Sequence, residues 1–84
     1  MKVYDRKIKY IEAMQVTPEN LEIVEVWSNG SIKGTKLPRE QRCIDIQTYF
    51  GEQSANVGDW IIKESPYFLV YPEKLFNKLF TKRD

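Results

Sequence analysis

Histidine is absent from this chain of 84 residues, and cysteine occurs once. Without His, the usual general base near neutral pH and the commonest zinc ligand are both missing. A lone Cys43 forms no internal disulfide and builds no thiolate metal site. It also has no His to activate it as a nucleophile. No metal and no cofactor is therefore expected. There is no glycine-rich loop of the kind that cradles phosphates, and no Ser in a nucleophile elbow. No apolar run reaches the roughly 18 residues that a membrane span needs. The opening Met1-Lys2-Val3-Tyr4-Asp5-Arg6 has no apolar core of a signal peptide. With one Cys, these features give the expectation of a soluble, cytoplasmic protein with no membrane partner. Charge of one sign is also lacking: 13 Lys and Arg face 12 Asp and Glu, for a net +1. That balance gives no global attraction to nucleic acid or membrane.

Carboxylates are the remaining acid–base candidates, for instance Asp45 with Asp59 or Glu52. Two-carboxylate hydrolysis also needs a cleft, and a chain this short has little surface from which to form one. The chain is expected not to be an enzyme.

What the chain does have is aromatic mass: two Trp, five Tyr and four Phe. Each ring can bury about 150–250 Å². That helps a single domain, residues 1–84, which by its size buries only about 60% of its unfolded surface.

The organising stretch is Val57-Gly58-Asp59-Trp60-Ile61-Ile62-Lys63. Gly58 accepts a positive φ, and Asp59 suits a turn because its carboxylate reaches nearby backbone. Trp60, Ile61 and Ile62 then favour a buried strand. Upstream, Lys7 to Val16 reads as the first strand, with Ile8, Tyr10, Met14 and Val16 on one face and Ile11 and Ala13 on the other. Thr17 followed by Pro18 is a helix-start signal, with Thr17 as N-cap and Pro18 at the first helical position. The helix carries Leu21, Val24 and Trp27 on one stripe, widened by Ile23 and Val26, and Asn29-Gly30 ends it. A strand is the competing reading of this segment, because Ile23, Val24 and Val26 are β-branched.

Ser31 to Arg42 reads as a loop, basic through Lys33, Lys36, Arg39 and Arg42. From Cys43 to Phe50 the alternation puts Ile44, Ile46, Thr48 and Phe50 on the buried face and Cys43, Asp45, Gln47 and Tyr49 on the other. A short return strand over 53–57, the strand from Trp60, and an aromatic strand from Tyr67 to Tyr71 complete an antiparallel meander. Pro72-Glu73-Lys74 opens a final helix. Its Leu75, Phe76, Leu79 and Phe80 form an apolar face, each contributing on the order of 1.5–3 kcal/mol if buried. Lys78, Lys82 and Arg83 come late, where the helix dipole favours cations. The expected fold class is α+β: a small antiparallel sheet of about four to five strands, one helix after the first strand, and a C-terminal helix.

Ile11-Glu12-Ala13, then Gln15-Val16-Thr17-Pro18-Glu19-Asn20, Trp27 and Gly30, resembles the opening of a family of small proteins of tailed phages and prophages. The second signature of that family resembles Val57-Gly58-Asp59-Trp60-Ile61-Ile62-Lys63, followed by an aromatic stretch and a terminal helix. The chain departs from the pattern at Val57, where Pro is frequent, and at Glu64, where Gly is frequent. Ser31 to Arg42 has no counterpart. The shared positions (Thr17, Pro18, Gly58, Asp59, Trp60) are turn, cap and core residues. The resemblance implies a phage context and carries no mechanism.

Two functional expectations follow from the residues. The first is a protein-interaction module that meets a host or phage protein through exposed rings such as Tyr49 and Tyr67, since Tyr is favoured at interfaces. The second is a binder of an anionic ligand or nucleic acid through Lys33, Lys36, Arg39 and Arg42. Self-association is compatible with either, because a small sheet has unpaired edges.

Overall fold

Among the described residues eleven short segments of regular structure alternate, and one mixed sheet gathers most of them. The computed structural model describes the backbone of residues 2–6 and 9–82 and the side chains from Ile11 to Phe80. The strands are β1 (Lys2–Arg6), β2 (Lys9–Gln15), β3 (Ser31–Lys33), β4 (Cys43–Thr48), β5 (Gly51–Asn56), β6 (Trp60–Glu64), β7 (Tyr67–Tyr71) and β8 (Thr81–Lys82). Helix α1 (Leu21–Ser28) follows β2, α2 (Glu73–Leu79) follows β7, and a 3-10 turn covers Arg39–Gln41. The order across the sheet is β3-β4-β7-β6-β2-β1-β8, with β5 on the other edge of β4.

The α+β class and the two helices match the expectation, and the strand count does not. Six strands have five residues or more, and β3 and β8 are shorter additions. The undercount comes from β1, β3 and β8. The strand expected over 7–16 is preceded by β1, with which it forms a hairpin. The stretch 31–42, expected as a loop, begins with β3 paired to the start of β4. Nor is the second half a simple meander. β5 pairs β4, and β6 pairs β2 and β7. β7 meets β4 in parallel, through Thr48 and Phe68. Lys82 lies in β8 rather than in the last helical turn, and Arg83 is outside the described residues.

Strand β6 is the axis of the fold. Trp60, Ile61 and Ile62 are all buried, so both faces of this strand are covered. Trp60 and Ile62 join Ile11, Ala13, Phe76 and Phe80 in the core beneath α2. Ile61 joins Val16, Leu21, Val24, Ile44, Ile46 and Ala55 in the core beneath α1. The mixed parity expected for β2 is thereby explained: Ile11 and Ala13 serve one core, Met14 and Val16 the other. Gly58 enters β6 with φ +102, where a side chain would be strained. Its N–H donates to Val16 O (2.8 Å), and Val16 N–H donates to Asp59 O (2.9 Å). Asp59 acts within the turn: its carboxylate accepts the Asn56 N–H at 2.9 Å.

Helix α1 starts later than Thr17 and Pro18 suggested. Thr17 to Asn20 form a turn in which Thr17 N–H donates to Asn20 Oδ1 (2.8 Å) and Asn20 N–H donates to Thr17 Oγ1 (3.2 Å). Asn20 holds the N-cap position, and Leu21 is the first helical residue. Asn29, at φ 56 and ψ 36, ends the helix in the left-handed region, as expected. The buried stripe is Leu21, Val24 and Ser28, at i, i+3 and i+7. The Ser28 hydroxyl is satisfied by donating to Val24 O at 2.7 Å. Ile23 and Val26 do not widen the stripe; they face solvent, Val26 at 81% exposure. At α2, similarly, Phe76 and the C-cap residue Phe80 dock while Leu75 and Leu79 stay outside.

The molecule extends 42 × 23 × 19 Å. At about 1.5 Å per residue, helices of seven or eight residues span only about 10–12 Å. Neither can cover the sheet. The β4–β5 surface on the α2 side carries Cys43, Asp45, Gln47, Glu52, Ser54 and Asn56, none of them fully buried.

Candidate interaction surface

Thr48 ends the β4 strand because its hydroxyl is used twice in the turn. Oγ1 donates to Gly51 O (2.6 Å) and accepts the Phe50 N–H (3.0 Å). Thr48 and Gly51 are paired across the hairpin, so Tyr49 and Phe50 are the two turn residues. Gly51 takes φ +103 on the way out. Phe50, expected inside by alternation, is therefore 75% exposed, and Tyr49 is 66% exposed. The period-two pattern fails here because the strand stops one residue before Tyr49.

Tyr67 begins β7, beside the end of β4. Its ring centroid lies 5.0 Å from that of Tyr49, edge to face at 71°. Phe50 meets Tyr49 at 5.4 Å and 82°. Together with Glu64, Ser65 and Leu69 these rings line a half-open cleft of about 390 Å³. Two tyrosines singled out from the sequence are thus brought together across the sheet. Phe50, Glu64, Ser65 and Leu69 were not foreseen. One signal was available: residues 43–62 contain Asp45, Glu52 and Asp59 but no Lys or Arg, although the chain has 13 of them.

A second apolar surface lies on the outer side of α1, where Ile23, Val26 and Trp27 adjoin Met14. It is shallow. Trp27 is half-buried, with its edge against the Phe68 ring at 5.3 Å.

The four basic candidates form no comparable site. Lys33 pairs with the first residue of β4, at the opposite end of that strand from Tyr49. Arg39 is engaged: its Nε donates to Pro18 O (2.7 Å) and its Nη2 to Glu22 Oε1 (2.6 Å). Glu22 is accordingly held below the ordinary carboxylate pKa, chiefly by that hydrogen bond, and Arg39 is raised by the same contact. Arg42 folds over its own loop, donating to Leu37 O (2.9 Å) and Thr35 O (3.1 Å). Lys33 and Lys36 are exposed. Half of the basic set therefore shapes the 31–42 loop and anchors it to α1.

Asp45 is also engaged, accepting the Ser54 hydroxyl across the β4–β5 pair at 2.5 Å. Among the described residues no group of three or more His, Cys, Asp and Glu side chains could hold a metal ion. Among the same residues no helix is long and apolar enough to cross a membrane. Comparison with protein families, with curated proteins and with solved structures finds no match for this chain.

Proposed function

We propose that this protein is a non-enzymatic interaction module whose contact surface is the aromatic tip of the β4–β5 hairpin. One observation carries the reading: Tyr49, Phe50 and Tyr67 converge on one exposed cleft instead of joining either core. Three large rings left in water forgo about 1.5–3 kcal/mol each of burial. Aromatic side chains are also what contact surfaces are enriched in. The resemblance to small phage and prophage proteins supports a host-cell setting, with a host or phage protein as partner. The alternative, an anion or nucleic-acid binder, loses support because Arg39 and Arg42 are committed within the fold, leaving Lys33 and Lys36.

The test is affinity capture from a bacterial lysate with the wild-type protein and with the double variant Tyr49→Ser/Phe50→Ser. The expected result is a partner held by the wild type and lost by the variant, both melting at nearly the same temperature. Capture that is indifferent to the two rings would refute the proposed surface.

A further inference from the structure

Among the described residues the sheet has three edges, β3, β5 and β8. Two of them are short. β8 has two residues. β3 has three, carries Lys33, and its outward Ile32 N–H is capped by Glu25 Oε2 at 2.9 Å. The third edge is longer and unguarded. β5 pairs with β4 over six unbroken positions, from Thr48 with Gly51 to Cys43 with Asn56, without a bulge. It contains no Lys, Arg or Pro, the residues that commonly blunt an edge. Glu52, Gln53 and Ser54 are all exposed, so neither face of the strand is covered there.

The turn after β5 fixes which backbone groups point outward. Asn56 N–H donates to Asp59 Oδ2 (2.9 Å), and Asn56 O accepts the Asp59 N–H (2.9 Å), so Asn56 faces away from β4. Direction alternates along an antiparallel ladder, so Ser54 and Glu52 face away as well. No hydrogen bond among the described residues uses the outward N–H and C=O of these two. Residues 1, 7, 8, 83 and 84 adjoin β1, β2 and β8 in the chain, and β6 and β7 separate those strands from β4. The edge therefore offers a row of two N–H and two C=O groups.

We infer that β5 pairs antiparallel with β5 of a second copy, about a two-fold axis through Gln53, and joins the two sheets into one. A two-fold axis normal to the sheet must pass through a residue, because it opposes side chains of like facing. Centred on Glu52, it would set two carboxylates opposite each other, which is unfavourable. Centred on Ser54, it would oppose Glu52 to Asn56, whose groups the Asp59 turn already uses. Centred on Gln53, it pairs Glu52 of each copy with Ser54 of the other. Four hydrogen bonds then use every outward group of Glu52 and Ser54 in both strands, and no like charges are opposed. A foreign strand would take its specificity from pockets beside the edge. Neither of the clefts described above is lined by a β5 residue. The pairing does not depend on the interaction-module reading. If both hold, the dimer carries two aromatic tips and is a bivalent module.

The experiment has two arms on the full chain. Sedimentation equilibrium is run from about 10 μM to about 1 mM, a range suited to a small interface. The wild type should pass from one chain to two. Ser54→Pro removes an outward N–H and keeps the ladder to β4, as proline does on an edge strand. It should stay monomeric throughout and melt within a few degrees of the wild type. The second arm reads the register by oxidation, in a Cys43→Ser background. Gln53→Cys should give a disulfide-linked dimer, because the two Gln53 positions form the close pair at the axis, with Cα atoms about 4.5 Å apart. Ser54→Cys should not, because its two copies are offset by two residues and lie beyond the roughly 7 Å limit.

A wild type that stays monomeric at the top concentration would overturn the inference. So would a dimer indifferent to Ser54→Pro, or equal cross-linking at positions 53 and 54. If Ser54→Pro fails to fold, the two cysteine variants decide alone. A monomer whose lysate partner is lost on Ser54→Pro would give the edge to a different protein, and the second copy would be ruled out. The aromatic tip is judged separately, by whether capture survives Tyr49→Ser/Phe50→Ser.

Discussion

Two groups of aromatic rings lie at different parts of the same sheet and have opposite fates. Around β6, Trp60 stacks on Phe76 with centroids 4.1 Å apart and planes 1° apart. Phe80 follows Phe76 at 5.0 Å and reaches Tyr71 at 5.6 Å. At the β4–β5 tip, Tyr49, Phe50 and Tyr67 meet edge to face in water. Ring chemistry does not separate the two groups; cover does. Helix α2 lies over the first and stops after Leu79, and among the described residues no element crosses the second. A domain this small gains most by placing rings where a helix can close over them. The second group is left outside that closure, which is why function is assigned to it.

The sharpest way to break this contrast is to truncate a ring on each side. Phe76 is 1% exposed and touches both Trp60 and Phe80. Phe76→Ala should cost about 3–5 kcal/mol, a large part of the roughly 5–15 kcal/mol that holds a domain. Thermal melting should show a drop of tens of degrees or no folded state at all. Leu79→Ala, on the same helix but facing out, should leave the melt nearly unchanged. Equal effects from the two would mean that α2 is not docked by its rings.

At the tip the expected effect is much smaller. Tyr49→Ser or Phe50→Ser removes rings whose packing is edge to face and open to solvent. The stability change should stay below about 1 kcal/mol, or a few degrees in the melt. A loss as large as that of Phe76→Ala would show the tip to be a satellite core and would remove the reason for assigning it a contact role.

How much of this contrast was legible in the residues depends on whether a local pattern decided it. Trp60-Ile61-Ile62 reads as buried from composition alone, and it is buried on both faces because two cores meet at β6. Phe76 and Phe80 lie at helical spacing, i and i+4, so their docking was readable. Leu75 and Leu79 share the apolar stripe but lie past the edge of what a seven-residue helix presses on the sheet. Ile23 and Val26 were misplaced for a similar reason: α1 buries a narrow i, i+3, i+7 line, and its third member is Ser28 rather than a large apolar residue. Phe50 was misplaced because alternation was carried past Thr48, whose hydroxyl closes the hairpin. The convergence of Tyr67 on Tyr49 was not legible at all. It depends on the parallel meeting of β4 and β7, a long-range pairing that no short window reports. Thr17 and Pro18 mark a real boundary, but they build the turn before the helix while Asn20 takes the cap.

The smallest effect concerns how α1 is held, in contrast to the ring-docked α2. Besides Leu21 and Val24 in the core, α1 is tied by polar contacts: Glu22 to Arg39, and Glu25 Oε2 accepting the Ile32 N–H at 2.9 Å. The Glu22 pair is exposed, so its contribution is modest and screened by salt. Its pH signature is nevertheless specific. Arg39 stays protonated throughout the accessible range and adds no slope of its own. Glu22 has a folded-state pKa below its unfolded value, so the stabilisation is present above the unfolded value and disappears as pH falls through the folded one. Glu22→Gln keeps an acceptor for Arg39 but removes the charge. Wild type should therefore melt slightly above the variant at neutral pH, and the two curves should converge in acid. The gap should also shrink in high salt. A gap that persists unchanged below the carboxylate range would assign the difference to packing on α1 rather than to the ion pair.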